Sequence, residues 1–202
     1  MKALLFFLLS ITIASAQYQK LDAPVNNDGR SLSFHLYHFD AHKNPAQLHS
    51  KPKRIESAIH TRSHLAGVAL GTPSPEQTFT LITQQGILKV TAGKNAGSAI
   101  GPCLLSQTGN PAGLDGKHHA RRTFLLHNGA NLWAIGYAPS ISQQQLAKAL
   151  QHISRKGNIR YTTAYQLNAG NSSGLWVSKG NYHPFYLKEL QSPACVLSVR
   201  LR

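Results

Sequence analysis

The segment from Ser140 to Gly157 carries the clearest helical signature in this 202-residue chain, and strand-like segments lie on both sides of it. Leu146, Ala149, Leu150 and Ile153 recur at i, i+3, i+4 and i+7, which places them on one face of an α-helix. Ser140 or Ser142 can cap it, and Gly157 is placed to end it. Before this helix, Leu32, Phe34 and Leu36 alternate with polar neighbours, the period of a half-buried strand. Thr78–Ile82 and Ile87–Val90 read as strands around Gln84-Gln85-Gly86, and Gly101–Leu105 as a buried strand. Phe124–Leu126 and Leu132–Tyr137 form a hairpin across His127-Asn128-Gly129-Ala130-Asn131, where Asn-Gly is the turn signal. After the helix, strands run into Asn168, out through Val177, and from Cys195 to Leu201. A weaker apolar face over Arg54–Leu65 suggests a second, short helix, and Ala92–Ala99 reads as a loop. This order predicts an α+β domain: a mostly antiparallel or mixed sheet with a few flanking helices.

The N-terminus carries an export signal. Lys2 supplies the positive region, Ala3 to Ile13 the apolar core, and Ala14-Ser15-Ala16 the small-residue cleavage site. Residues 1–16 are therefore expected to be a signal peptide and residues 17–202 one domain, exported to a periplasm or secreted. The apolar run is too short to span a bilayer comfortably, and no later segment is long enough to try. Residues 17–31 are polar and read as a loose leader into the fold. With 42% hydrophobic and 14% charged residues, the composition is that of a folded chain.

The charge is lopsided: 21 Lys and Arg against 7 Asp and Glu, a formal +14. Losing Lys2 with the signal leaves +13. Such a chain is drawn to anionic surfaces. Its basic residues are scattered, the densest groups being Lys51–Arg54 and Lys117–Arg122. Two cysteines, Cys103 and Cys195, each follow a proline and enter an apolar run. In an oxidising compartment they are expected to form one disulfide.

The loop between Leu167 and Val177 is the best candidate for a binding site. Gly170 and Gly174 permit unusual backbone angles or close approach. Asn171, Ser172 and Ser173 add hydrogen-bonding groups with little bulk, a composition suited to a sugar or a phosphate. The alternative is an ordinary hairpin turn. Asn171-Ser172-Ser173 is also an N-glycosylation sequon, relevant only in a eukaryotic host.

Several motifs in order make residues 98–202 resemble the phosphodiester glycosidase domain family. Ile100-Gly101-Pro102-Cys103-Leu104-Leu105 is similar to its Ser-Gly-Pro-x-Leu strand. Arg121-Arg122-Thr123 precedes a strand hairpin as the family's Arg-Thr does, and the Ser142–Arg155 helix follows. Leu167-Asn168-Ala169-Gly170-Asn171-Ser172-Ser173 then resembles its Leu-Asp-Gly-Gly-x-Ser-Ser/Thr loop, and Ser192–Val199 its last strand. The resemblance implies a hydrolase acting on a sugar-1-phosphodiester bond in a glycan or envelope component. Arg122 and Asn168 would take the catalytic positions, with Gly170, Asn171, Ser172, Ser173 and Thr123 binding substrate. Arg122 would hold the phosphate, with Arg121 outside the pocket. No cofactor is implied. The expected partner is a phosphorylated or phosphodiester-linked glycan, with an anionic envelope surface next and nucleic acid not expected.

Two positions depart from the family's pattern. Asn168 stands where its loop carries Asp, and Ala169 where it carries a second Gly. An asparagine is neither a general acid or base nor a charge to set against an oxocarbenium-like centre. The family's Asn-Gly-Gly-Phe-Phe motif survives at most as Leu65-Ala66-Gly67-Val68-Ala69-Leu70. A catalytically inactive descendant that binds anionic glycans or envelope polymers is thus the alternative. A protein that merely coats anionic polymers is the third reading. Among the few carboxylates, Asp40 and Asp115 are the ones to locate. His38/His42 and His60/His64 have i, i+4 spacing, but without a neighbouring Glu they read as surface histidines, and no metal site is expected.

Overall fold

The computed structural model describes residues 17–26, 29–59, 63–71, 80–84, 87–91, 101–106, 111–180 and 182–202, the segments 80–84 and 87–91 by their backbone. The expected export signal (residues 1–16), His60, the expected turn at Gln85-Gly86, the expected loop at 92–99 and residues 108–110 lie outside the described residues.

Among the described residues the chain forms two large sheets, a two-stranded ribbon and two helices, and every strand pair is antiparallel. The α+β expectation holds, in its antiparallel form. The first sheet contains β1 (Gln17–Pro24), β2 (Ser31–Asp40), β7 (Cys103–Leu105), β8 (Ala120–His127), β9 (Leu132–Ile141) and β10 (Thr163–Ala169). Its spatial order is β1-β2-β9-β8-β10-β7. The second contains β3 (Ala46–Ser50), β4 (His64–Leu70), β11 (Leu175–Lys179), β12 (Tyr182–Leu187) and β13 (Cys195–Arg200), in the order β12-β11-β4-β13-β3. A separate ribbon pairs β5 (Thr80–Gln84) with β6 (Ile87–Thr91).

Strand alternation sorts the side chains into three apolar layers. Phe34, Leu36, Phe124, Leu126 and Ala134 face α2 (Gln143–Lys156), which presents Leu146, Ala149, Leu150 and Ile153 to them. Phe39, Leu125, Ile135, Val68, Leu175 and Leu197 fill the space between the sheets. Ile55 and Ile59, on and beside the one-turn helix α1 (Ile55–Ala58), cover Trp176 and Val196 on the outer face of the second sheet. The layers thus run helix, sheet, sheet, helix. Because side-chain direction alternates along a strand, neighbouring residues on β8 serve different layers.

The α2 helix starts at Ser142, whose hydroxyl accepts the Gln145 N–H while Gln145 Oε1 accepts the Ser142 N–H, a reciprocal cap. In the β8–β9 turn, Asn128 Oδ1 accepts the N–H groups of Ala130 and Leu132, and Gly129 adopts φ +86°. Four strands lie where the sequence pattern gave little or misleading signal. The polar leader is β1, paired along its full length with β2. Its exposed side chains reflect an edge strand and leave backbone pairing to hold it. Of the expected Arg54–Leu65 helix, only Ile55–Ala58 is helical among the described residues, and β4 begins at His64. β3 and β12 are partly exposed edge strands without alternation.

The expected disulfide is not present: Cys103 and Cys195 are free thiols. Cys103 lies on β7 at the edge of the first sheet, and Cys195 on β13 inside the second, between β4 and β3. Their similar local sequences mark similar strand starts, not neighbouring strands. His38 and His64 are buried rather than on the surface.

Candidate ligand-binding site at the end of the two sheets

At one end of the sandwich, the exit of β10 meets the start of β8, the end of β4 and the end of β12. A bulge in β10 decides what faces this space. Gln166 pairs with Phe124 and Asn168 with Thr123, so Leu167 is the extra residue. Without it, Gln166 and Asn168 would share a face. With it, Gln166 points to the α2 side, while Leu167 joins the core between the sheets.

The loop after β10 is held by backbone and hydroxyl contacts. Gly170 N–H donates to the Arg121 carbonyl at 2.9 Å, and Ser173 Oγ donates to the same carbonyl at 3.1 Å. Ser173 N–H donates to the Gly170 carbonyl at 3.0 Å, closing the turn. The Asn171 carbonyl accepts from Leu190 and Gln191 N–H at 2.7 and 3.1 Å. Gly170 has φ +92°, a conformation that favours glycine. Gly174 serves differently: a Cβ there would lie 2.8 Å from the Leu187 carbonyl oxygen and 3.0 Å from Glu189 N. The close approach foreseen for this glycine is made by the protein's own β12 exit.

The expected site residues fall into two groups. Asn168, Gly170, Asn171 and Ser172 come together at the loop. Asn168 Nδ2 donates to Ser172 Oγ at 2.9 Å, and its Oδ1 accepts Ala169 N–H at 2.9 Å. Asn171 is exposed and Ser172 half-buried. Thr123 and Ser173, by contrast, are fully buried. Thr123 Oγ1 donates to the Ala69 carbonyl at 2.7 Å and ties the first sheet to β4.

The two arginines stand in reversed positions from those expected. Arg122 is only 3% exposed and points to the α2 side. Its Nε donates to the Ile141 carbonyl, Nη1 to Gln166 Oε1 and Nη2 to the His118 carbonyl, at 2.8, 2.6 and 2.9 Å. Its guanidinium is engaged by protein acceptors on each of its three nitrogens. Arg121 is half-buried and lies on the face of β8 that carries Thr123 and Leu125. Its Nε donates to Tyr137 Oη at 2.8 Å and its Nη2 to the Lys188 carbonyl at 2.5 Å. The guanidinium carbon is 5.5 Å from the Tyr137 ring centre. One guanidinium nitrogen, Nη1, has no acceptor among the described residues.

Neither expected carboxylate reaches the loop. Asp40 is at the far end of β2, opposite Leu132, where its Oδ1 accepts the His42 N–H in a turn. Asp115 precedes α2; the Lys117 N–H, with His118 in support, holds its carboxyl down to about 2. The carboxylate closest in sequence to the loop's support is Glu189, which the sequence left unremarked. It is buried, accepts Ile55 N–H at 3.0 Å and accepts the Tyr186 hydroxyl at 2.6 Å. Burial, and then this carboxylate, raise the Tyr186 pKa. Among the described residues, no group of three His, Cys, Asp or Glu is arranged to hold a metal ion.

No protein-family model and no curated protein sequence matches this chain. Among solved structures, it is similar to the catalytic domain of zebrafish N-acetylglucosamine-1-phosphodiester alpha-N-acetylglucosaminidase, in a form auto-inhibited by its pro-peptide. That match has a TM-score of 0.58 at 14% identity and covers 93% of this chain and 83% of the other. The fold is phosphodiester glycosidase-like. A hypothetical protein from Synechocystis is more distant, with a TM-score of 0.38 at 13% identity, covering 87% of this chain and 41% of that one. The first likeness spans nearly the whole chain, whereas the sequence motifs covered only its second half. It therefore brings β1 to β4 into the same fold. Sequence reading left Arg121 outside the pocket, although strand alternation carried a signal for the other choice: residues 121, 123 and 125 share the face that looks toward the second sheet.

Proposed function

We propose that this chain is an exported phosphodiester glycosidase-like protein that binds a sugar-1-phosphodiester of a glycan or envelope component and hydrolyses its sugar–phosphate bond. The observation that carries the reading is the pinning of the 168–174 loop to the Arg121 carbonyl. This contact holds the loop, with its exposed Asn171 and half-buried Ser172, to the backbone of Arg121, whose guanidinium keeps one nitrogen without an acceptor among the described residues. Arg121, rather than Arg122, holds the phosphate, while Asn168, Asn171 and Ser172 order the sugar hydroxyls.

The bond to be cleaved suits a site poor in carboxylates. Water attacks the anomeric carbon, the carbon–oxygen bond to phosphate breaks, and the oxygen leaves with the electron pair as a phosphate monoester. The second pKa of such a monoester is about 6. It departs near neutral pH without the general acid that an alkoxide requires, and a cation on its oxygens stabilises the charge that develops. Water's proton passes to solvent.

Binding without turnover is the second reading, favoured by Asn168 and by the engagement of both Glu189 oxygens. A panel of sugar-1-phosphodiesters, with calorimetry beside product detection, separates the two readings. Turnover that falls at least tenfold in Arg121→Ala supports hydrolysis. Saturable binding with no product supports the binder. Neither binding nor turnover across the panel rejects both.

A further inference from the structure

On the opposite side of the first sheet lies a cleft of about 320 Å³, between α2 and the end of β1. Its α2 wall carries Lys148, His152, Arg155 and Lys156, and its other wall Pro24, Val25 and Asn26. The helix contains no acidic residue. No hydrogen bond or ion pair to a described residue engages the head groups of Lys148, Arg155 or Lys156. The facing wall is fixed. Val25 N–H donates to the Arg30 carbonyl at 3.0 Å, and Gln145 Nε2 donates to Asn26 Oδ1 at 2.8 Å.

We propose that this cleft is a second anion site, independent of the loop site, which takes a soluble ligand carrying two or more phosphate groups. Three features support it. The cations at Lys148, Arg155 and Lys156, unpaired among the described residues, repel one another, and a bound polyanion relieves that repulsion. Helix rise spreads Lys148 and Lys156 over about 12 Å, so one phosphate cannot satisfy both ends and a linear oligophosphate or phosphodiester chain can. The recess also receives a chain between two walls, a shape that a flat lipid surface does not match.

The test uses the full mature chain and sodium tripolyphosphate as probe, by calorimetry at low and moderate salt. The variant K148Q/R155Q/K156Q is compared with K20Q/K43Q/K53Q, which removes the same charge from exposed positions elsewhere. We expect saturable binding that weakens about tenfold or more, or ~1.4 kcal/mol or more, in the cleft variant. The control variant is expected to change it by less than about threefold. Amide shifts on titration should fall on Asn26, Gln151 and His152. Equal weakening in both variants would show attraction by net charge alone and overturn the proposal. So would no binding by the native chain. So would binding to phosphatidylglycerol vesicles, lost in the cleft variant, without binding of tripolyphosphate. Because the probe carries no sugar, the outcome does not depend on turnover of phosphodiester glycosides.

Discussion

Arg122 and Gln166 are joined across the β8–β10 pair by a buried hydrogen bond, Nη1 to Oε1 at 2.6 Å. The bulge after Gln166 makes this possible, because it leaves Gln166 on the α2 side while the chain continues on the other face. A motif position that resembles a phosphate-binding arginine is thereby a structural one. Arg122→Ala removes the guanidinium donors from the Ile141 and His118 carbonyls and leaves Gln166 Oε1 only the 3.4 Å bond from Gln143 Nε2, and is expected to cost about 3 kcal/mol in urea unfolding. Arg122→Lys, with one nitrogen for three acceptors, should cost nearly as much. Arg121→Ala, at a half-exposed position, should cost no more than about 1 kcal/mol and act on ligand affinity instead. A stable Arg122→Ala protein that has lost ligand binding would reverse the two roles.

The glycines of the loop differ in sensitivity. At Gly174 the obstacles are the Leu187 carbonyl and the Glu189 N–H, backbone atoms that cannot swing aside. Gly174→Ala should destabilise by about 2–3 kcal/mol. Gly170 has open space around a Cβ position, so Gly170→Ala meets only the strain of φ +92° and should cost about 1 kcal/mol. Thermal unfolding of the two variants side by side checks the order.

His38 makes stability fall in mild acid. Its neutral ring satisfies both contacts: Nε2–H donates to Gln19 Oε1, and Nδ1 accepts from the Tyr161 hydroxyl. Burial pushes its pKa down to about 4. The unfolded chain, with its histidine near 6.5, binds the proton more readily. Stability from this residue is therefore complete above pH 6.5 and is lost as pH falls from 6.5 toward 4, by about 3 kcal/mol. Burial lowers the pKa of His35 and His127 as well, and both act in the same direction. His38→Gln should flatten the pH 4–6.5 slope of unfolding free energy; an unchanged slope would assign it to other groups.

Both thiols should be recovered free. Alkylation in denaturant without reductant should modify Cys103 and Cys195 alike, read by intact mass. In the native protein, burial raises the pKa of both thiols, so alkylation near neutral pH should be slow. A mass that shows no alkylation until reductant is added would restore the disulfide.

Local pattern carried much of this fold. The α2 helix with its Ser142 cap, the Asn-Gly hairpin and the strands around residue 168 are written in short-range periodicity and turn chemistry, which act through neighbours in the chain. The same physics left β1 and β12 unread. An edge strand pairs through its backbone, and the sequence carries little signal of backbone pairing when the side chains stay in water. For the site, sequence determined the loop's small polar residues and the absence of a carboxylate at Asn168. The tertiary structure decided which arginine is enclosed by protein acceptors and which is left with a nitrogen to offer. Adjacent residues on a strand face opposite ways, and the register of β8 against β9 and β10 turned Arg122 toward the helix and Arg121 toward Tyr137 and the exit of β12. Pairing of the cysteines was likewise a matter of which sheet each strand joined, a choice made by contacts far apart in the chain.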